Sequence, residues 1–188
     1  MNQKVLYRMV VTGLMAAMIF VVTMFLKIEI PTPTGPTMLK IGNIICLTTG
    51  LLFGGVTGGL AAGIGSALFD LCHPAYAAEF YITFINFFMM GFVCGLVSHL
   101  RGQRGKNFAL NCGAAAAGAL TYFVLHIGKN VLVLVLSGSN FQAALLANTT
   151  KMITSGVNAA IAVIAAVLIT PALRPLLERA GVYRKLEG

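Results

Sequence analysis

What most constrains this chain is the length of its apolar runs, which fall at 5–26, 38–54, 56–72, 80–100, 108–136 and 141–173. A helix that crosses a bilayer needs about 20 such residues, with a range of roughly 17–25. Hydrocarbon also forbids unpaired backbone groups, so runs of this length fold as helices when they lie in lipid. The remaining composition agrees: 58% of the 188 residues are hydrophobic and 10% are charged, where soluble domains carry about 25% charged residues. These figures exclude a soluble globular protein, a disordered chain and a disulfide scaffold. The formal charge of +8 is no nucleic-acid signal, because that requires basic residues clustered on a water-soluble face. The expectation is an all-α integral membrane protein, a compact bundle in the lipid bilayer forming a single membrane domain over residues 1–188.

Charge parity sets the predicted topology. Lys4 and Arg8 precede the first run, which lacks a small-x-small cleavage site and reads as an uncleaved helix. Residues 38–71 read either as one long tilted helix or as two short ones broken at Gly54-Gly55. Cytoplasmic loops are enriched in Lys and Arg. With two helices there are six transmembrane helices, and both termini are cytoplasmic. Nine of the thirteen basic residues then lie inside: Lys4, Arg8, Arg101, Arg104, Lys106, Arg174, Arg179, Arg184 and Lys185. One helix fewer would turn the Arg101–Lys106 cluster outward. Small residues recur at four-residue spacing in Gly50/Gly54, Gly55/Gly59, Gly59/Gly63, Gly91/Gly95 and Gly113/Ala117, a pattern that permits close helix approach in lipid.

Polar residues at membrane depth are costly and face the bundle interior or a cavity. Here they fall in stripes at helical spacing: Glu79, Thr83 and Asn86; Tyr122, His126 and Lys129; Asn148, Lys151, Ser155 and Asn158. Lys40 and Asn43 sit one turn apart at the start of the second run, and Asp70 lies near the end of the third. On the predicted topology Glu79, Asn86, His126, Lys129 and Lys151 map to the outer half of the membrane and Asn158 to its middle. Polarity confined to one half describes an outward-facing pocket, since a pore needs polar lining throughout. Tyr76, Phe80, Tyr81, Phe84 and Tyr122 are candidates to stack on a ligand ring. Lys129 and Lys151 favour an anionic or carbonyl-bearing ligand.

Catalytic signals are thin. Gly63-Ile64-Gly65-Ser66-Ala67 lacks the second glycine of a nucleophile turn and sits inside a predicted helix. With no P-loop, ATP hydrolysis would need separate partners. Cys46, Cys72, Cys94 and Cys112 show no metal-type spacing, and no metal or cofactor is expected.

The stretch Phe25-Leu26-Lys27-Ile28-Glu29-Ile30-Pro31-Thr32-Pro33, followed by Leu39-Lys40-Ile41-Gly42-Asn43, resembles the S components of energy-coupling factor (ECF) vitamin transporters, in their riboflavin-type branch. The likeness continues through Gly50-Leu51-Leu52-Phe53-Gly54, the run from Gly59 to Leu71, Phe84-Ile85-Asn86 and Met90-Gly91. The resemblance implies a multi-pass subunit of a prokaryotic cell (plasma) membrane that is not itself an enzyme. It would bind a vitamin or precursor of the riboflavin, pyridoxine, hydroxymethylpyrimidine, pantothenate or folate class with high affinity. It would then dock on a transmembrane coupling subunit carried by two cytoplasmic ATPases. Residues 27–40 would form a lid, and Gly13, Ala16 and Ala17 the docking face. The chain departs from the branch at Lys40, Asn43 and Asn86, where His, Asp and Lys are common. The alternative class is a stand-alone secondary carrier of a small polar metabolite. The absence of an internal repeat weighs against it.

Overall fold

A computed structural model describes residues 3–32, 34–103 and 105–187. Pro33 of the lid motif, Arg104 of the basic cluster and the side chain of Arg101 lie outside the described residues. The order is α1 (Gln3–Phe25), β1 (Lys27–Ile30), β2 (Thr37–Lys40), α2 (Gly42–Phe53), α3 (Gly55–Leu71), α4 (Phe80–Ser98), α5 (Phe108–Leu136), α6 (Phe141–Ala147), α7 (Thr149–Arg179) and α8 (Val182–Glu187). Short 3-10 turns at Ala77–Glu79 and Leu100–Gly102 flank α4. Among the described residues, four helical segments are long and apolar enough to cross a membrane: Gln3–Phe25, Ala77–Ser98, Phe108–Leu136 and Thr149–Arg179. The helices α2 and α3 are apolar but shorter.

Two predicted runs resolve differently. The run at 38–54 is not helical from its start, because its first residues belong to β2. This strand pairs antiparallel with β1, with Lys27 opposite Lys40 and Ile30 opposite Thr37. Pro31 and Pro36 disfavour helix around the turn, and Ile28, Ile30 and Thr37 suit a pleated strand. The helix that follows has 12 residues, about 18 Å at 1.5 Å per residue, against a hydrocarbon core of about 30 Å. The run at 141–173 divides at Asn148 into α6 and α7. The Asn148 side-chain amide donates to the Ala144 carbonyl at 2.9 Å, offering the backbone a local alternative to continued helix. The second piece continues through Pro171 and Pro175 to Arg179. Proline forfeits one helical hydrogen bond, a loss that helices of membrane proteins tolerate when neighbours compensate.

Residues 38–71 contain two helices, parted at Gly54. Its φ of +86° lies where an L side chain is strained. Around that break the backbones of α2, α3 and α4 touch. A Cβ at Gly50 would lie 2.8 Å from the Gly91 carbonyl oxygen, one at Gly58 2.5 Å from the Gly50 Cα, and one at Gly91 2.5 Å from the Gly58 carbonyl oxygen. A Cβ at Gly95 would collide with the backbone of Gly54 and Gly55. The spacing at Gly113 does no such packing, for its Cβ position meets open space. Against this glycine seam Leu47, Leu51, Phe87, Met90, Ala114, Ala115 and Ala166 form the buried core.

One end of the bundle collects the basic segments. The His99 ring lies 3.5 Å from a Cβ built on Gly54, and the Arg174 guanidinium 3.3 Å from one built on Gly105. Arg174 also sits over the Tyr183 ring at 5.1 Å. Arg8 donates to the Leu186 carbonyl at 3.4 Å, tying α1 to α8. The hairpin and the polar stripes occupy the opposite end.

The seam generates a paired prediction. Gly91→Ala forces helix backbones apart and should destabilise by at least the 1–3 kcal/mol typical of overpacking. Gly113→Ala fills open space in a helix and should be neutral or stabilising by up to about 1 kcal/mol. Thermal unfolding in detergent, followed by circular dichroism, checks the contrast.

Candidate functional site

Helical periodicity brings polar side chains from four helices to one cavity. On α7, Lys151, Ser155 and Asn158 share a face, and on α5 so do Tyr122, His126, Lys129 and Asn130. Thr83, Asn86 and Phe87 project from α4, Asp70 from the end of α3, and Tyr76 and Glu79 from the connection between them. The β-hairpin covers the opening with Thr34, Gly35, Pro36, Thr37, Met38 and Lys40. The cavity volume is about 150 Å³.

Twelve of the thirteen residues expected from the sequence to form a pocket line this cavity: Lys40, Asp70, Tyr76, Glu79, Thr83, Asn86, Tyr122, His126, Lys129, Lys151, Ser155 and Asn158. Asn43 does not. It is 2% exposed, its Oδ1 accepts no hydrogen bond, and it is absent from the cavity wall. Placing it one helical turn beyond Lys40 assumed a helix there, whereas Lys40 belongs to a strand and the chain turns at Ile41. The expected aromatic set also changes. Phe80, Tyr81 and Phe84 are not on the wall, and Phe87 is. Phe84 instead abuts the glycine face of α3, with its ring 3.0 Å from a Cβ built on Gly63.

The charged groups hold the cavity shut. The Lys129 ammonium pairs with Glu79 at 2.5 Å, joining α5 to α4. Lys151 donates to the Thr34 carbonyl at 2.7 Å and to Asn130 Oδ1 at 3.1 Å. Asn158 behaves as a neighbouring strand would: its amide donates to the Met38 carbonyl at 2.7 Å, and its Oδ1 accepts from the Lys40 N–H at 3.1 Å. The Thr34 hydroxyl donates to Asn148 Oδ1 at 3.3 Å. The edge of β2 and the hairpin tip are thus fastened to α7. At the hairpin base, Glu29 pairs with Lys27 at 2.7 Å and His73 at 2.9 Å. The Lys27 hydrogen bond holds the Glu29 carboxyl below the usual carboxylate range, against the opposing effect of burial.

The floor is aromatic. The Lys40 ammonium lies 4.2 Å from the centre of the Phe87 ring, a cation–π contact. Phe87 and Tyr122 have centroids 4.6 Å apart, and His126 stacks on Tyr122 at 5.4 Å and 9°. Burial lowers the Lys40 ammonium from its ordinary value, with Asp70 opposing, and pushes the Tyr76 phenol up to about 12. The Tyr76 hydroxyl is buried without a hydrogen-bond partner.

Sequence reasoning missed Asn130, Phe87 and the hairpin carbonyls. Asn130 follows His126 at +4 and was legible as part of that stripe. The carbonyls carry no side-chain signal. On α1, Gly13 and Ala17 are exposed and their side of the helix is open. Ala16 is 3% exposed, with its carbonyl facing Gly65 of α3, so it cannot share an external docking face with them.

Two outcomes are expected. Asn158→Ala removes two hydrogen bonds worth about 0.5–1.5 kcal/mol each, so hydrogen exchange at the Lys40 amide should quicken by about tenfold. Glu29 has a depressed folded-state pKa, so its contribution is complete above the ordinary carboxylate pKa and is lost as pH falls through the folded value. Exchange over residues 27–30 should therefore rise on acidification below about pH 4, and Glu29→Gln should show the same fast exchange at pH 7.

A family model described as "ECF-type riboflavin transporter, S component" matches residues 4–175. A protein of Pyrococcus woesei, "Uncharacterized protein in gap 3'region", is 41% identical over 58 residues, which cover 30% of this chain and 38% of that protein.

Proposed function

The chain belongs to the family of ECF-type riboflavin transporter S components, and from that premise we propose that it is the substrate-binding subunit of an ECF vitamin transporter, with the hairpin-covered cavity as its binding site. The observation that carries this reading is the convergence of polar groups on the cavity. Half-buried Lys40 and buried Asp70, Asn86, Tyr122, Lys151 and Asn158 come from five elements to one small space, and such convergence is costly at membrane depth unless it serves a function. Substrate would be a vitamin or precursor of the classes named above, bound from outside and sealed in by residues 27–40.

On this reading six helices span the membrane, α1, α2, α3, α4, α5 and α7, with α2 and α3 as the short pair, and the basic end is cytoplasmic along with both termini. That end collects Arg8, Arg174 and α8, as the positive-inside rule requires. Energy would come from partners: a transmembrane coupling subunit and two cytoplasmic ATPases. The docking face is the open side of α1 around Gly13 and Ala17, where small residues admit another helix.

Two experiments test the proposal. Mass spectrometry of protein purified from its native membrane should reveal a bound vitamin, and calorimetry against a vitamin panel should give nanomolar binding to at least one member. A blank panel overturns the assignment, as does uptake by vesicles containing this chain alone. Gly13→Leu should abolish ATP-dependent uptake by the assembled transporter while leaving substrate affinity within about twofold. Equal loss of binding and uptake would remove α1 as a separate docking face.

A further inference from the structure

The family is described by riboflavin, a fused three-ring compound with a polyol chain, and the cavity does not match that size. Its volume is about 150 Å³, the scale of an engineered cavity that takes one benzene ring, where pockets for larger ligands run to about 300–1,000 Å³. The walls resist enlargement on each side. Below, Phe87 and Tyr122 are 2% and 8% exposed and rest on the core beside the glycine seam. Laterally, the Lys129–Glu79 pair bridges α5 and α4. Above, β2 is fastened to α7 through Asn158 and Lys151. More room requires releasing the hairpin, which is what encloses the site.

The polar groups left over have a definite chemistry. Lys151 and Asn158 are engaged with the hairpin, and Lys129 with Glu79. Lys40, Asp70 and the Tyr76 hydroxyl are among the cavity groups outside those contacts, beside Thr83, Asn86, His126 and Ser155. Lys40 and Asp70 both line the wall, yet among the described residues they form no ion pair with each other within 4.0 Å. The Tyr76 hydroxyl is buried and unpartnered. An ammonium donates and a carboxylate accepts, so one ligand satisfying both must carry an acceptor and a donor. The Phe87 and Tyr122 rings, tilted 44° to each other, form the aromatic floor, with Lys40 over the first and His126 against the second.

We propose that the cavity takes a single six-membered heteroaromatic ring with a hydrogen-bond donor and an acceptor on its edge, of the aminopyrimidine or hydroxypyridine class, and excludes three-ring flavins. The donor faces Asp70 and the acceptor faces Lys40 and Tyr76. This rests on the cavity being the substrate site of a binding subunit.

The test is calorimetry on the purified full chain in detergent with three probes: 4-amino-5-hydroxymethyl-2-methylpyrimidine, pyridoxine and riboflavin. At least one single-ring probe should bind 100-fold or more tightly than riboflavin. Tyr76→Phe, which removes only a hydroxyl, should weaken that probe about tenfold, and Asp70→Asn should weaken it more. Both variants should retain wild-type hydrogen exchange over residues 37–40. Riboflavin binding within 100-fold of the better single-ring probe overturns the size argument and leaves the binding-subunit reading standing. Tight single-ring binding unchanged in both variants overturns the edge assignment. No binding of any of the three overturns this proposal, and only a blank on the wider vitamin panel would overturn the binding-subunit reading with it.

Discussion

Contact between helix backbones at the Gly50–Gly58–Gly91 seam is the constraint on which the rest of this structure depends. In lipid, helices gain nothing by hiding apolar surface from one another, so association comes from packing and from hydrogen bonds. Glycines at 50, 58, 91 and 95 bring α2, α3 and α4 close enough that even a methyl group has no place between them. That closeness lets a helix of only 12 residues be buried along most of its length. It also aligns α3 and α4 at the hairpin end, where Asp70, Thr83 and Asn86 reach the same cavity.

The short α2 has a counterpart in the hairpin. Where a longer helix would continue, the chain forms two strands that cross the mouth of the bundle. A two-stranded hairpin is marginal by itself, and its exposed edge presents unpaired backbone groups. Asn158 answers both problems by serving β2 as a third strand would, one amide satisfying a carbonyl and an N–H. Lys151 secures the tip in the same manner. The polar residues of α7 therefore act on backbone, and a ligand meets the cavity that this fastening defines. Access and cavity size are thus linked through the same few hydrogen bonds.

Much of this was legible in the chain. The 108–136 run is α5, because Asn107 caps its start and no proline or turn residue pair interrupts its length. The stripes on α4, α5 and α7 were readable because i, i+3 and i+4 residues share a helix face whatever surrounds them. Ala16 was misplaced because a stripe of small residues does not say which of its members faces inward. Asn148 was read as one more member of the α7 stripe, whereas it ends α6, since an asparagine side chain can bond backbone or ligand with equal ease.

By itself, the sequence determined the solvent, the helical segments and the faces on which polar groups lie, since these follow from apolar length and a period of 3.6 residues. Only the tertiary structure decided that residues 37–40 form a strand, that Asn43 is walled off, and that Lys151 and Asn158 grip the hairpin. These outcomes depend on which backbone groups are left without partners once the helices have packed. Partners for such groups come from segments more than 100 residues away, and no local pattern encodes that distance.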